Sequence, residues 1–114
     1  MKKSELHFSI ELDDNNIPDK IFWLATDNNP EQKVYETKGI AVSIWDQDNK
    51  NTMKLDLWTK EMQVDEMKKF MIETLVGMGE TLKTATGDDF MVAEITNLAK
   101  KLRKHHEAEL GISS

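Results

Sequence analysis

The sequence predicts an α+β fold: an antiparallel β-meander of about four strands, followed by two C-terminal helices packed on one sheet face. Three observations carry that expectation. Apolar residues recur with period two as far as Thr59, then at alternating steps of three and four from Val64 onward. Turn-forming clusters at 13–16, 27–30 and 46–51 cut the first half into strand-length pieces. The chain has 114 residues, the length of one domain spanning 1–114, and can bury roughly two-thirds of its unfolded surface.

The first strand falls at 4–12, with Leu6, Phe8, Ile10 and Leu12 inward and Glu5, His7, Ser9 and Glu11 outward. Residues 21–25 are apolar on both faces and read as a strand covered twice over. The chain re-enters strand at Gln32 and continues past Gly39 to Trp45, with Gly39 marking a bulge or bend. A last strand at 52–59 pairs back around the polar turn. The period then changes. Val64, Met67, Met71, Leu75, Met78 and Leu82 form one helical stripe, read as core, on a helix at 64–84. Gly77 and Gly79 each cost this helix about 1 kcal/mol relative to alanine, so they mark close packing or a weak point. Gly87 suits a helix end and Asp88 a helix start, and Met91, Ile95, Leu98 and Leu102 line a second helix at 88–109.

Composition removes several functional classes. There is no cysteine, which excludes disulfides, thiolate zinc sites and cysteine nucleophiles. The net charge is −6, the wrong sign for the basic footprint on which nucleic-acid binding rests. The one basic cluster, at 100–104, lies late in a helix where cations complement the dipole. No apolar run approaches the ~20 residues needed to span a bilayer, and the N-terminus lacks the apolar core of a signal peptide. The expectation is a cytoplasmic protein with no direct membrane insertion.

No catalytic constellation stands out, and the chain is expected not to be an enzyme and to need no cofactor or metal. Asp46 and Asp48 begin a calcium-loop spacing that Lys50 breaks. Adjacent helical histidines such as His105 and His106 point about 100° apart, so they do not readily share an ion with Glu109. The informative feature is elsewhere. Ile40, Val42 and Ile44 share one sheet face with Met53, Leu55 and Leu57, which leaves Trp45 and Trp58 on the opposite face beside Ser43, Lys54 and Asp56. Trp45, Trp58, Lys54 and Asp56 are therefore the candidate partner-binding residues. Three placements compete for the tryptophans: a surface for a partner or a second copy, cover by the second helix or by Tyr35 and Trp23, and plain cross-strand support. Exposure of both would favour a homodimer.

A longer pattern runs through the chain. Residues 4–13 (Ser-Glu-Leu-His-Phe-Ser-Ile-Glu-Leu-Asp), 16–21 (Asn-Ile-Pro-Asp-Lys-Ile), 43–46 (Ser-Ile-Trp-Asp), 55–60 (Leu-Asp-Leu-Trp-Thr-Lys), 64–70 (Val-Asp-Glu-Met-Lys-Lys-Phe) and 85–87 (Ala-Thr-Gly) together resemble the gliding-motility protein GldC family. The likeness runs from Ser4 to Gly87 and more loosely to Leu110. Gln63 departs from it, standing at the helix start where many relatives carry proline. The resemblance implies a small soluble protein of Bacteroidetes, accessory to gliding motility on the cytoplasmic side, with protein partners in the gliding machinery. It carries over no catalytic residue. Two other classes fit the residues: a small acidic chaperone for an exported protein, and a sheet that stacks single-stranded nucleic acid on its aromatics, against which the charge argues.

Overall fold

The computed structural model describes residues 2–111. The fold is α+β, with all strands preceding both helices. The strands are β1 (Leu6–Leu12), β2 (Pro18–Ala25), β3 (Tyr35–Thr37), β4 (Gly39–Asp46) and β5 (Asn51–Trp58); the helices are α1 (Val64–Thr86) and α2 (Asp89–Glu109). They form two compact units, one ending at Met62 and the other beginning at Gln63.

In the strand unit every pairing is antiparallel, and the ladders are β1-β2-β3 and β4-β5. The long strand expected from Gln32 to Trp45 divides at Lys38, where the chain changes neighbours. Thr37 still pairs with Ile21 of β2, whereas the Lys38 carbonyl already accepts from the Thr59 N–H at 2.9 Å. Local bonds hold the junction: the Thr37 hydroxyl donates to the Gly39 carbonyl at 3.1 Å, a competitor to continued pairing. A Cβ at Gly39 would stand 2.7 Å from the Met62 sulfur, the end of a flexible side chain that would have to move aside.

The register of β1 on β2 sets Phe8 opposite Trp23 and Ile10 opposite Ile21, and Ile21 is fully buried. The turn between them is held by Asp13, whose carboxylate accepts from the N–H groups of Asn15 and Ile17 at 2.8 and 3.0 Å. Lys60 reaches the same carboxylate at 2.9 Å, tying this turn to the chain just past β5. That ion pair and the two N–H donors, Lys60 foremost, hold the Asp13 carboxyl below its usual range.

The helical unit is a hairpin. Glu66 caps the start of α1, its carboxylate accepting from the Gln63 N–H at 3.1 Å. Gly87 ends α1 in the left-handed conformation, with φ 67°, and Asp88 starts α2 by accepting from the Met91 N–H at 3.0 Å. The buried residues are Ile72 and Gly79 of α1 and Ala99 and His106 of α2. Gly79 permits close approach, since a Cβ there would lie 3.2 Å from Cγ2 of Ile95. The exposure of Met71 and Met78 corrects their reading as core, whereas Met67, Leu75 and Leu82 of the same stripe are half-buried. At 100° per residue, Met71 and Met78 point about 90° and 110° away from the Ile72–Gly79 seam, and they are 38% and 54% exposed. Ile72, Gly79, Ala99 and His106, not Met71 and Met78, are the buried residues of the two helices.

Candidate interaction surface

The β4–β5 ladder places each candidate residue by its register. Ile40 lies opposite Leu57, Val42 opposite Leu55 and Ile44 opposite Met53, which puts the six aliphatics on one face. On the other face Gly39 lies opposite Trp58, Ala41 opposite Asp56, Ser43 opposite Lys54, and Trp45 opposite Thr52. Trp45 is 61% exposed and Trp58 54% exposed. Both tryptophans thus stand on the polar side and remain accessible.

They do not touch. Trp45 sits beside the hairpin turn and Trp58 at the far end of the ladder, about 20 Å apart at 3.4 Å per residue. Between them lies an ion pair, with Lys54 Nζ 2.8 Å from the Asp56 carboxylate, two residues along the same strand. The surface is therefore two aromatic anchors flanking a charged centre. An exposed pair of this kind contributes about 0–1 kcal/mol to the fold. The turn beside Trp45 is held by Asp46, whose carboxylate accepts from the N–H groups of Asn49 and Asp48 and from the Asn49 side chain. These bonds, with those from Asn49 first, hold the Asp46 carboxyl below its usual range.

Tyr35 and Trp23 do not cover the tryptophans of the hairpin. Trp23 stacks on Tyr35 instead, with ring centroids 5.0 Å apart and planes 25° from parallel, and Lys33 Nζ lies 5.0 Å from the Tyr35 ring centre. Their pairing follows from the β2–β3 register, in which Trp23 faces Tyr35.

The histidines of α2 gather around one carboxylate. Lys68 of α1 bonds both oxygens of Glu109 at 2.9 Å, while His105 and His106 stand 3.6 and 3.8 Å from it. Lys68 is the chief reason that the Glu109 carboxyl is held below its usual range. The sequence reading missed the seam position of His106, which is buried, with Nδ1 lacking a hydrogen-bond partner among the described residues. Its spacing from Ala99 at i, i+7 is the signal that places it there. Among the described residues no group of three or more side chains converges as a metal site, and no helix is long and apolar enough to cross a membrane.

Comparison with known proteins returns one finding. No curated protein and no solved structure matches the chain. The family model described as gliding motility-associated protein GldC-like matches residues 18–108, which takes in all of β2 to β5, α1 and nearly all of α2. The chain carrying this double-tryptophan hairpin belongs to the GldC-like family of gliding motility-associated proteins.

Proposed function

We propose that this chain is a non-catalytic accessory protein of the gliding machinery, acting in the cytoplasm by protein–protein contact. The working surface is the face of β4 and β5 that carries Trp45, Lys54, Asp56 and Trp58. One observation carries the reading: two tryptophans more than half exposed on the side of a strand pair where polar residues belong. A tryptophan buried in an interface is among the strongest anchors known, each contributing about 2–4 kcal/mol as a hot spot. The Lys54–Asp56 pair between the two anchors supplies the charges that fix a partner's register. Membership of the GldC-like family supports a partner within the gliding apparatus. The net charge of −6 weighs against nucleic acid.

The test is affinity capture from gliding cells with the wild-type chain, Trp45→Glu and Trp58→Glu, alongside a thermal melt of each variant. The reading expects unchanged melts and loss of a machinery component from both variant captures. Undiminished recovery would defeat it. The exposed Met71 and Met78 favour a second reading, a chaperone for an exported polypeptide, because methionine surfaces adapt to varied clients. Capture of an exported protein that survives both tryptophan substitutions would favour that alternative.

A further inference from the structure

The helical unit carries a groove over the α1–α2 seam, beside the hairpin turn. Its volume is about 410 Å3, inside the range of sites that hold small ligands. Val76, Gly79, Val92 and Ala99 form an apolar floor, and Lys83, Lys100 and Arg103 stand along the rim. We propose that this groove binds a small anionic amphiphile, an alkyl chain of medium length ending in a carboxylate. The carboxylate sits at Lys100 and Arg103, and the chain runs over Ala99 and Gly79 toward the turn. This site belongs to the helical unit, whereas the tryptophan face belongs to the strand unit.

The floor follows from helix phase and residue size. Val76, Gly79 and Lys83 fall at i, i+3 and i+7 of α1, and Val92, Ala99 and Arg103 at i, i+7 and i+11 of α2, so each helix supplies one wall from a single face. Gly79 and Ala99 are buried, yet neither has a side chain that could fill the space above it, and Val76 and Val92 flank them half-buried. An alkyl chain lying there removes this apolar surface from water.

The cations of the rim are unclaimed. Lys68, elsewhere on α1, is bound to Glu109, but among the described residues the side chains of Lys83, Lys100 and Arg103 have no hydrogen bond or ion pair. The dipole of α2 does not account for Lys100 or Arg103, because that effect fades within the last turn, where the only basic residue is His106. The two ends of the groove differ. Counting along the antiparallel helices from the Gly79–Ile95 contact, Lys83 lies near Val92 and roughly 12 Å along the axis from Lys100. Glu80, the one acid of the lining, stands one turn from Lys83 and offsets it. Lys100 and Arg103, also one turn apart, keep their positive charge, and the guanidinium fork matches a carboxylate. Past Arg103 the groove continues to Glu73 and Glu107, whose charges bar an anion from sliding further. A positive end in a chain of net charge −6 is a local reversal of sign, and it selects an anionic head. Size selects a small molecule over a protein segment: a floor roughly 12 Å long offers far less than the ~800 Å2 per partner that a stable protein interface buries.

Titration of the nitrogen-15-labelled full chain with decanoate, kept below its aggregation concentration and followed by NMR, reads both affinity and place. The expected result is saturable movement of the Val76, Gly79, Val92 and Ala99 amide signals. Decanol should bind about tenfold more weakly, and each methylene removed from the acid should cost about two- to fourfold. Lys100→Gln/Arg103→Gln should weaken decanoate binding at least about tenfold. Lys101→Gln/Lys104→Gln removes the same charge from positions that do not line the groove and should leave binding unchanged, with melts of both double variants matching the wild-type chain. Movement confined to the tryptophan indole signals, equal losses in the two double variants, or decanol binding as tightly as decanoate would each overturn the proposal. So would a response to anionic vesicles or to a glutamate-rich amphipathic peptide with none to decanoate, which would assign the groove to a membrane surface or a protein. None of these outcomes bears on capture through Trp45 and Trp58, so the two sites fail separately.

Discussion

Gly77 and Gly79 lie two residues apart in one helix, yet they should respond to substitution in opposite ways. A glycine inside a helix costs about 0.5–1 kcal/mol against alanine, mainly through backbone entropy. At Gly77 a Cβ would meet nothing within 4 Å. Gly77→Ala therefore recovers the whole propensity term, about 1 kcal/mol, or several degrees in melting temperature for a chain of this size. At Gly79 the same Cβ would stand 3.2 Å from Cγ2 of Ile95, and a β-branched side chain on a helix has one preferred rotamer with which to yield. The propensity gain is then offset by crowding, so Gly79→Ala should leave stability unchanged or reduced. Leucine widens the contrast. Gly77→Leu is tolerated, while Gly79→Leu forces a branched side chain into the α1–α2 seam at a cost of about 1–3 kcal/mol. Urea unfolding followed by far-ultraviolet circular dichroism measures all four variants, with an unchanged slope confirming that only stability has moved. Equal midpoints for Gly77→Leu and Gly79→Leu would refute the seam and return the methionine stripe to the core.

Two other perturbations follow from named bonds. Asp88→Ala removes the acceptor that the Met91 N–H uses at the start of α2 and should cost about 1 kcal/mol, read by the same unfolding assay, whereas Asp88→Asn should cost less. Asp13 has a folded-state carboxyl held low by Lys60 and by the N–H groups of Ile17 and Asn15, so its contribution is complete at neutral pH and is lost as pH falls below about 4. Melts from pH 7 to pH 3 should therefore decline on the acid side in the wild-type chain and decline less in Asp13→Asn; parallel profiles would show that the Lys60 pair contributes nothing to stability.

Much of this architecture is legible in the alternation of side chains. The change of period after Thr59 separates strands from helices, and the aliphatic and tryptophan faces of β4 and β5 follow from parity alone. Parity does not say how far apart two residues on one face lie. Parity puts Trp45 and Trp58 on one face, and the register of β4 on β5 sets them at opposite ends of it. The division of the expected long strand at Lys38 is accompanied by a hydroxyl bond from Thr37 to the Gly39 carbonyl, which has no periodic signature. The seam is only partly legible for a related reason. Hydrophobicity ranks methionine above glycine and histidine, while close helix packing selects by size: Gly79 signals close packing or a weak point, but His106 carries no apolar signal that would place it in the seam.

Gliding itself gives the most direct test of the tryptophan face. Cells lacking this chain would be supplied with the wild-type sequence or with the Trp45→Glu/Trp58→Glu double variant, with protein levels matched by immunoblot. The exposure of both residues means that the variant should fold and accumulate normally. The expected result is spreading colonies with the wild-type chain and non-spreading colonies with the double variant. Full spreading with the double variant at wild-type levels would contradict the assignment of this face as the surface through which the protein acts.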